Sequence, residues 1–137
     1  MRWVCLSALM LAGCSENGAA DLAGTYAGPG RDRLCIVKKG EDLVVGAIVY
    51  GQGDANCTFR GTGVDQQIAT KTALKIRPTG DSECEFRIDG NPSLLTLHAS
   101  GSACNYYCGP GASLEGKTVK RLPQRETVND FGGDPLC

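Results

Sequence analysis

The residues of this chain that could do chemistry are its single histidine, a few neighbouring carboxylates and eight cysteines. His98 ends the apolar run Leu94-Leu95-Thr96-Leu97. A hydrolytic triad would have to use it, yet no Gly-x-Ser-x-Gly elbow accompanies it, and Ser100 and Ser102 fall in a Gly-Ser stretch. Zinc on His98, Cys104, Cys108 and a further thiolate would need a spacing that matches no finger or ribbon. Glu83 and Glu85 would project from one strand face, as a glycosidase pair does, but Asp81 to Asp89 reads as a solvated hairpin. The glycine-rich Tyr107-Cys108-Gly109-Pro110-Gly111 lacks the lysine and the following helix of a phosphate-cradling loop. These residue types therefore predict no enzyme, no metal centre and no cofactor.

The cysteines carry a different chemistry. Met1 and Arg2 make a positive start, and Trp3 to Leu11 is an apolar run too short to cross a bilayer as a mature helix. The run ends in Leu11-Ala12-Gly13-Cys14, which resembles the lipobox of bacterial lipoproteins. The resemblance implies removal of residues 1–13 as a signal peptide, diacylglycerol and an N-acyl chain (palmitate or similar) on Cys14, and anchorage in the bacterial cell envelope. Ser15 follows the cysteine, which under the Gram-negative sorting rule implies the outer membrane, facing the periplasm. Several acyl chains, at ~0.8 kcal/mol per buried CH2, hold a protein stably at a membrane. Residues 14–21 then form the lipidated cysteine and a polar tether.

With Cys5 in the signal and Cys14 lipidated, six cysteines remain: Cys35, Cys57, Cys84, Cys104, Cys108 and Cys137. An exported chain with an even number of thiols predicts three disulfides. Six thiols allow 15 pairings; the expectation here joins Cys35 to Cys57. Cys137, if paired, would bring the tail 123–137 onto the domain.

The elements that must position these residues are short. Nineteen glycines and six prolines in 137 residues favour turns over long helices. Apolar or β-branched runs recur at 22–27, 33–38, 43–50, 56–61, 68–77, 84–88, 94–99 and 118–122. Turn-type clusters separate several of them: Lys39-Gly40-Glu41-Asp42, Gly51-Gln52-Gly53-Asp54, Pro78-Thr79-Gly80-Asp81 and Asp89-Gly90-Asn91-Pro92. In Glu85-Phe86-Arg87-Ile88-Asp89, polar and apolar side chains alternate, as where one strand face meets a core and the other meets water. The pattern predicts an all-β fold, a small antiparallel barrel of about eight short strands over 22–122, stapled by disulfides, with a long Cys/Tyr/Gly-rich loop near the C-terminus. Such a lumen is just filled by side chains. Fourteen basic against fifteen acidic side chains exclude a broad nucleic-acid footprint.

The densest stretch, His98 to Gly116, is where a functional surface is expected. Asn105, Tyr106 and Tyr107 offer amphipathic contact groups, and Cys104 and Cys108 could clamp them. Tyr-x-Gly-Pro-Gly occurs twice, at Tyr26 and at Tyr107, and each copy reads as a tight turn. Lipobox, size, barrel and cysteines together resemble the membrane-bound inhibitors of C-type lysozyme. That family carries Ser-Gly-x-x-Tyr and Tyr-x-x-Gly-x-Gly segments that enter the lysozyme cleft. Tyr106, Gly109 and Gly111 match the second segment; Ser100 and Gly101 begin the first, with Cys104 where its tyrosine would stand. The resemblance implies that Ser100 and Tyr106 touch lysozyme. Two functional expectations follow: an envelope lipoprotein with a non-catalytic binding or structural module that meets an envelope or host protein, or a periplasmic inhibitor of C-type lysozyme or another cell-wall hydrolase.

Overall fold

The computed structural model describes residues 22–66 and 71–137. The lipobox, Cys14 and the tether to Asp21 lie outside the described residues, as do 67–70. Eight antiparallel strands close into one up-and-down barrel: β1 (Gly24–Ala27), β2 (Arg33–Lys39), β3 (Asp42–Tyr50), β4 (Asn56–Asp65), β5 (Thr72–Pro78), β6 (Glu85–Asn91), β7 (Leu94–Ser100) and β8 (Thr118–Arg121). Tyr26 opposite Arg121 and Ala27 opposite Lys120 seal the ring, so no sheet edge is left open.

The two-residue side-chain period decides what lies inside. Leu34 and Ile36 of β2, Val45, Ala47 and Val49 of β3, Leu74 and Ile76 of β5 and Leu95 and Leu97 of β7 belong to one buried cluster. Phe59 of β4 stacks on Phe86 of β6 at 4.6 Å across this interior. Burial of each such side chain stabilises the fold by about 1.5–3 kcal/mol.

Two strands run well past their expected ends. β4 runs on to Asp65, because Gly61 and Gly63 are not turn residues but inward positions where space is short. A Cβ on Gly61 would meet the Arg77 carbonyl oxygen at 2.2 Å. Similarly, Asp89, Gly90 and Asn91 continue β6, and the turn is the pair Pro92–Ser93, since Asn91 faces Leu94. The Asn91 carboxamide oxygen closes that turn by accepting the N–H groups of Ser93 and Leu94.

The expected Cys35–Cys57 bond does not form. Cys35 pairs with Cys137, Cys57 with Cys108 and Cys84 with Cys104. Parity is the reason: Leu34 and Ile36 point inward, so Cys35 points outward, whereas Cys57 belongs to the interior cluster on a strand two places away. The outward Cys35 instead anchors the tail 123–137. Val128 and Leu136 pack on Cys35 and Ile48 in a second, external cluster. Gly46 admits the tail, because a Cβ there would sit 2.6 Å from Leu136 Cβ.

Strand direction sorts the connections into two ends. Leu22, the 40–41 turn and the 92–93 turn lie at one end; segments 28–32, 51–55, 79–84 and 101–117 gather at the other.

Candidate functional site

The longest connection, 101–117, folds over the second barrel end from the residues upward. Gly101, at φ 77°, turns the chain out of β7 into a short 3-10 helix, Ser102–Tyr107. Cys108 then returns to extended backbone and bridges to Cys57. Gly109-Pro110-Gly111-Ala112 makes the next reversal, with Ala112 N–H donating to the Gly109 carbonyl at 3.1 Å. Proline in its second place and Gly111 at φ 85° in its third are what a type II turn requires. The Gly109 N–H donates to the Asn56 carbonyl at 2.9 Å, holding the turn against β4.

Cys104 and Cys108 do clamp this segment, though not to each other. Cys104 ties the 3-10 turn to Cys84 at the start of β6, and Cys108 ties its exit to Cys57 on β4. The loop is therefore pinned to two separate parts of the barrel wall.

The two tyrosines have opposite fates. Tyr107 is half-buried; its ring meets Phe86 edge-on at 5.8 Å, and its hydroxyl donates to Asp81 Oδ2 at 2.7 Å. Burial first, and then the Asp81 carboxylate, push the Tyr107 phenol up to about 12. Asp81 is held below the usual carboxylate range, chiefly by that hydroxyl and then by the Glu83 N–H. Its Oδ1 also accepts from the Glu83 and Cys84 N–H groups, so one carboxylate joins the 79–84 turn, a disulfide and Tyr107. Tyr106, by contrast, is 87% exposed and rests edge-on against Tyr107 at 5.3 Å.

Of the other expected contact residues, Asn105 is exposed and its carbonyl accepts the Cys108 N–H. Gly109 is half-buried, while Gly111 is exposed and its carbonyl faces the Gln52 N–H at 3.4 Å. Ser100 is the last residue of β7, paired with Glu85. The first Tyr-x-Gly-Pro-Gly copy serves the core: Tyr26 is fully buried and its hydroxyl donates to the Leu22 carbonyl at 2.7 Å.

The groups weighed for catalysis are engaged with neighbours. His98 lies between Asp89 (3.2 Å) and Glu115 (3.4 Å), and Glu115 also accepts the Ala99 N–H. Glu85, weighed with Glu83 as an acid and base, faces Lys75 at 3.1 Å and Arg77 at 3.7 Å.

Sequence reasoning missed Asp81 and Gly51. Asp81 carries a readable signal, since aspartate two residues before a backbone N–H it can accept is an Asx-turn pattern. Gly51 carries none: a Cβ there would stand 2.0 Å from the Gly111 carbonyl oxygen, a contact that only folding creates. No family model, curated protein or solved structure matches this chain.

Proposed function

We propose that this chain is a lipid-anchored envelope protein whose barrel is a non-catalytic binding module, with the 101–117 loop as its contact surface. The observation that carries the reading is Tyr106. A large aromatic side chain left 87% exposed, on a loop held by two disulfides, is a rigid anchor for a partner's pocket. A preformed loop loses little conformational freedom on binding, which favours affinity.

Chain direction supports the anchoring half of the reading. Lipid on Cys14 would lead through seven residues, at most about 25 Å of chain, to Leu22. Leu22 opens the barrel at the end opposite the loop. A membrane at that end would leave Tyr106 directed away from the lipid.

Charge favours a second, narrower reading as an inhibitor of a cell-wall hydrolase such as C-type lysozyme. The four segments at the loop end carry Arg31 and Lys117 against Asp32, Asp54, Asp81, Glu83 and Glu115. That net negative end suits a cationic partner and would speed its capture. Tyr106, the residue matching the inhibitor pattern, stands at this end.

A photo-crosslinking side chain at position 106 of the lipidated protein tests the first reading. A discrete adduct in the envelope is expected from position 106 and not from Val64, which is also exposed but lies on the barrel wall. Equal labelling from both sites, or none from either, would refute the loop as the contact surface. Stoichiometric inhibition of C-type lysozyme by the oxidised domain, lost in Tyr106→Ala, would select the narrower reading; indifference at micromolar protein would remove it.

A further inference from the structure

A second concave site lies on the same barrel end, where the last residues of the 101–117 connection meet two other connections. Segments 28–32 and 51–55 and the junction at Gly116–Thr118 enclose an open cavity of about 530 Å³, within the size range of small-ligand sites. Two cations line it. The Arg31 guanidinium carbon lies over the Tyr50 ring, 3.9 Å from its centroid. One of its nitrogens, Nη2, donates to Asp54 at 2.9 Å and to the Gly53 carbonyl at 3.3 Å. Its Nε and Nη1 donors have no protein acceptor among the described residues. Lys117 reaches across to donate to the Tyr50 carbonyl at 3.1 Å and lies within ion-pair distance of no carboxylate among the described residues.

Two carboxylates stand nearby, and the hydrogen bonds they make leave the Arg31 Nε and Nη1 donors and the Lys117 ammonium to other acceptors. Asp54 is spent in orienting Arg31, and the buried Asp32 accepts the Tyr50 N–H at 2.7 Å. Tyr50 itself is fixed from behind by the Cys35–Ile48–Val128–Leu136 cluster. An aromatic base, a clamped guanidinium and an ammonium with no ion-pair partner among the described residues thus face one cavity with donors to spare.

We propose that this cavity binds an oxyanion, the carboxylate or phosphate of a small ligand, between Arg31 and Lys117. The chemistry follows from the donors. Guanidinium and ammonium groups make their strongest hydrogen bonds to anionic oxygen, and Tyr50 and Asp54 hold the guanidinium in place before the ligand arrives. The site is separate from Tyr106 and stands or falls independently of the partner-binding reading.

Amide NMR titration of the oxidised domain with sodium acetate, sodium phosphate and sodium chloride, at matched ionic strength, tests it. Saturable shifts at Gly30, Arg31, Gly53 and Lys117 are expected with acetate or phosphate, at millimolar affinity. Saturation by acetate alone identifies a carboxylate site and by phosphate alone a phosphate site; either supports the proposal. Arg31→Gln combined with Lys117→Gln is expected to weaken binding at least tenfold while the remaining amide spectrum stays unchanged. Should the double variant fail to fold, Lys117→Gln alone carries the same expectation. Identical shifts with chloride, shifts without saturation, or unaltered affinity in the variants would overturn the proposal.

Discussion

Gly51→Ala probes the docking of the 101–117 loop at its narrowest point. The new Cβ would lie 2.0 Å from the Gly111 carbonyl oxygen and 2.7 Å from Ala112 Cα. An ordinary carbon–oxygen contact is about 3.3 Å, so the loop or the end of β3 has to retreat by more than about 1 Å. Neither side is free to do so. Gly111 is three residues from the Cys57–Cys108 bond, and Gly51 N–H is held by the Ala55 carbonyl at 2.8 Å. Overpacking of this kind costs about 1–3 kcal/mol, and losing the contact from Gln52 N–H to the Gly111 carbonyl adds about 1. At about 2.1 cal/mol/K of unfolding entropy per residue over roughly 110 described residues, a loss of about 2–4 kcal/mol lowers the melting temperature by about 8–17 °C. Calorimetry of the oxidised domain reads this directly. Gly109→Ala is the control from the same loop, because its Cβ would meet only Asn56 O at 3.7 Å and Asn56 N at 3.9 Å, and its melting temperature should fall within about 2 °C of the parent, the range of a surface change. A Gly51→Ala protein as stable as the parent, or two variants melting alike, would show that the loop does not rest on β3.

Three further outcomes are expected. Replacing each disulfide by an alanine pair should cost about 3 kcal/mol for Cys84–Cys104, about 4 for Cys57–Cys108 and nearly 5 for Cys35–Cys137, following the sequence separations of 20, 51 and 102; urea unfolding giving the reverse order would contradict this. Tyr107 titrates above its unfolded value of about 10, so its contribution is intact below pH ~10 and is lost as pH rises toward 12. Asp81 titrates below its unfolded value, so its contribution is present above pH ~4 and is lost as pH falls through the folded value. Tyr107→Phe should therefore flatten the alkaline fall in stability and weaken the acid one, and an unchanged pH profile would exclude the Tyr107–Asp81 bond. Gly46→Ala, whose Cβ would overlap Leu136, should lift the tail and speed reduction of Cys35–Cys137 while the barrel's backbone spectrum persists; an unaltered reduction rate would count against tail docking.

Much of the architecture is written in side-chain order alone. Apolar or β-branched runs at Leu34–Ile36, Val45–Val49 and Leu94–Ala99 and the polar–apolar alternation of Glu85–Asp89 identify strands, the alternation because burial rewards a period of two wherever one sheet face meets a core. The candidate site is legible in part: His98 to Gly116 stands out by composition, and its cysteines mark it as clamped. What could not be read was which tyrosine faces outward. Tyr106 and Tyr107 are adjacent and chemically identical, and only the 3-10 turn, with Asp81 placed below it, sends one to the barrel and the other to solvent. The Arg31–Tyr50–Lys117 cavity was equally hidden, since its three residues come from separate hairpin ends.

The sequence by itself determined the strand inventory, most of the turns and the demand for disulfides, all of which are local: apolar runs, turn-type clusters, and an even set of thiols between residues 35 and 137. Tertiary structure decided the pairing of Cys35 with Cys137, the service of Gly46, Gly51 and Gly61 as points of close approach, and the gathering of four connections at one barrel end. Those outcomes depend on strand parity and register, and both emerge only when distant segments share one closed sheet.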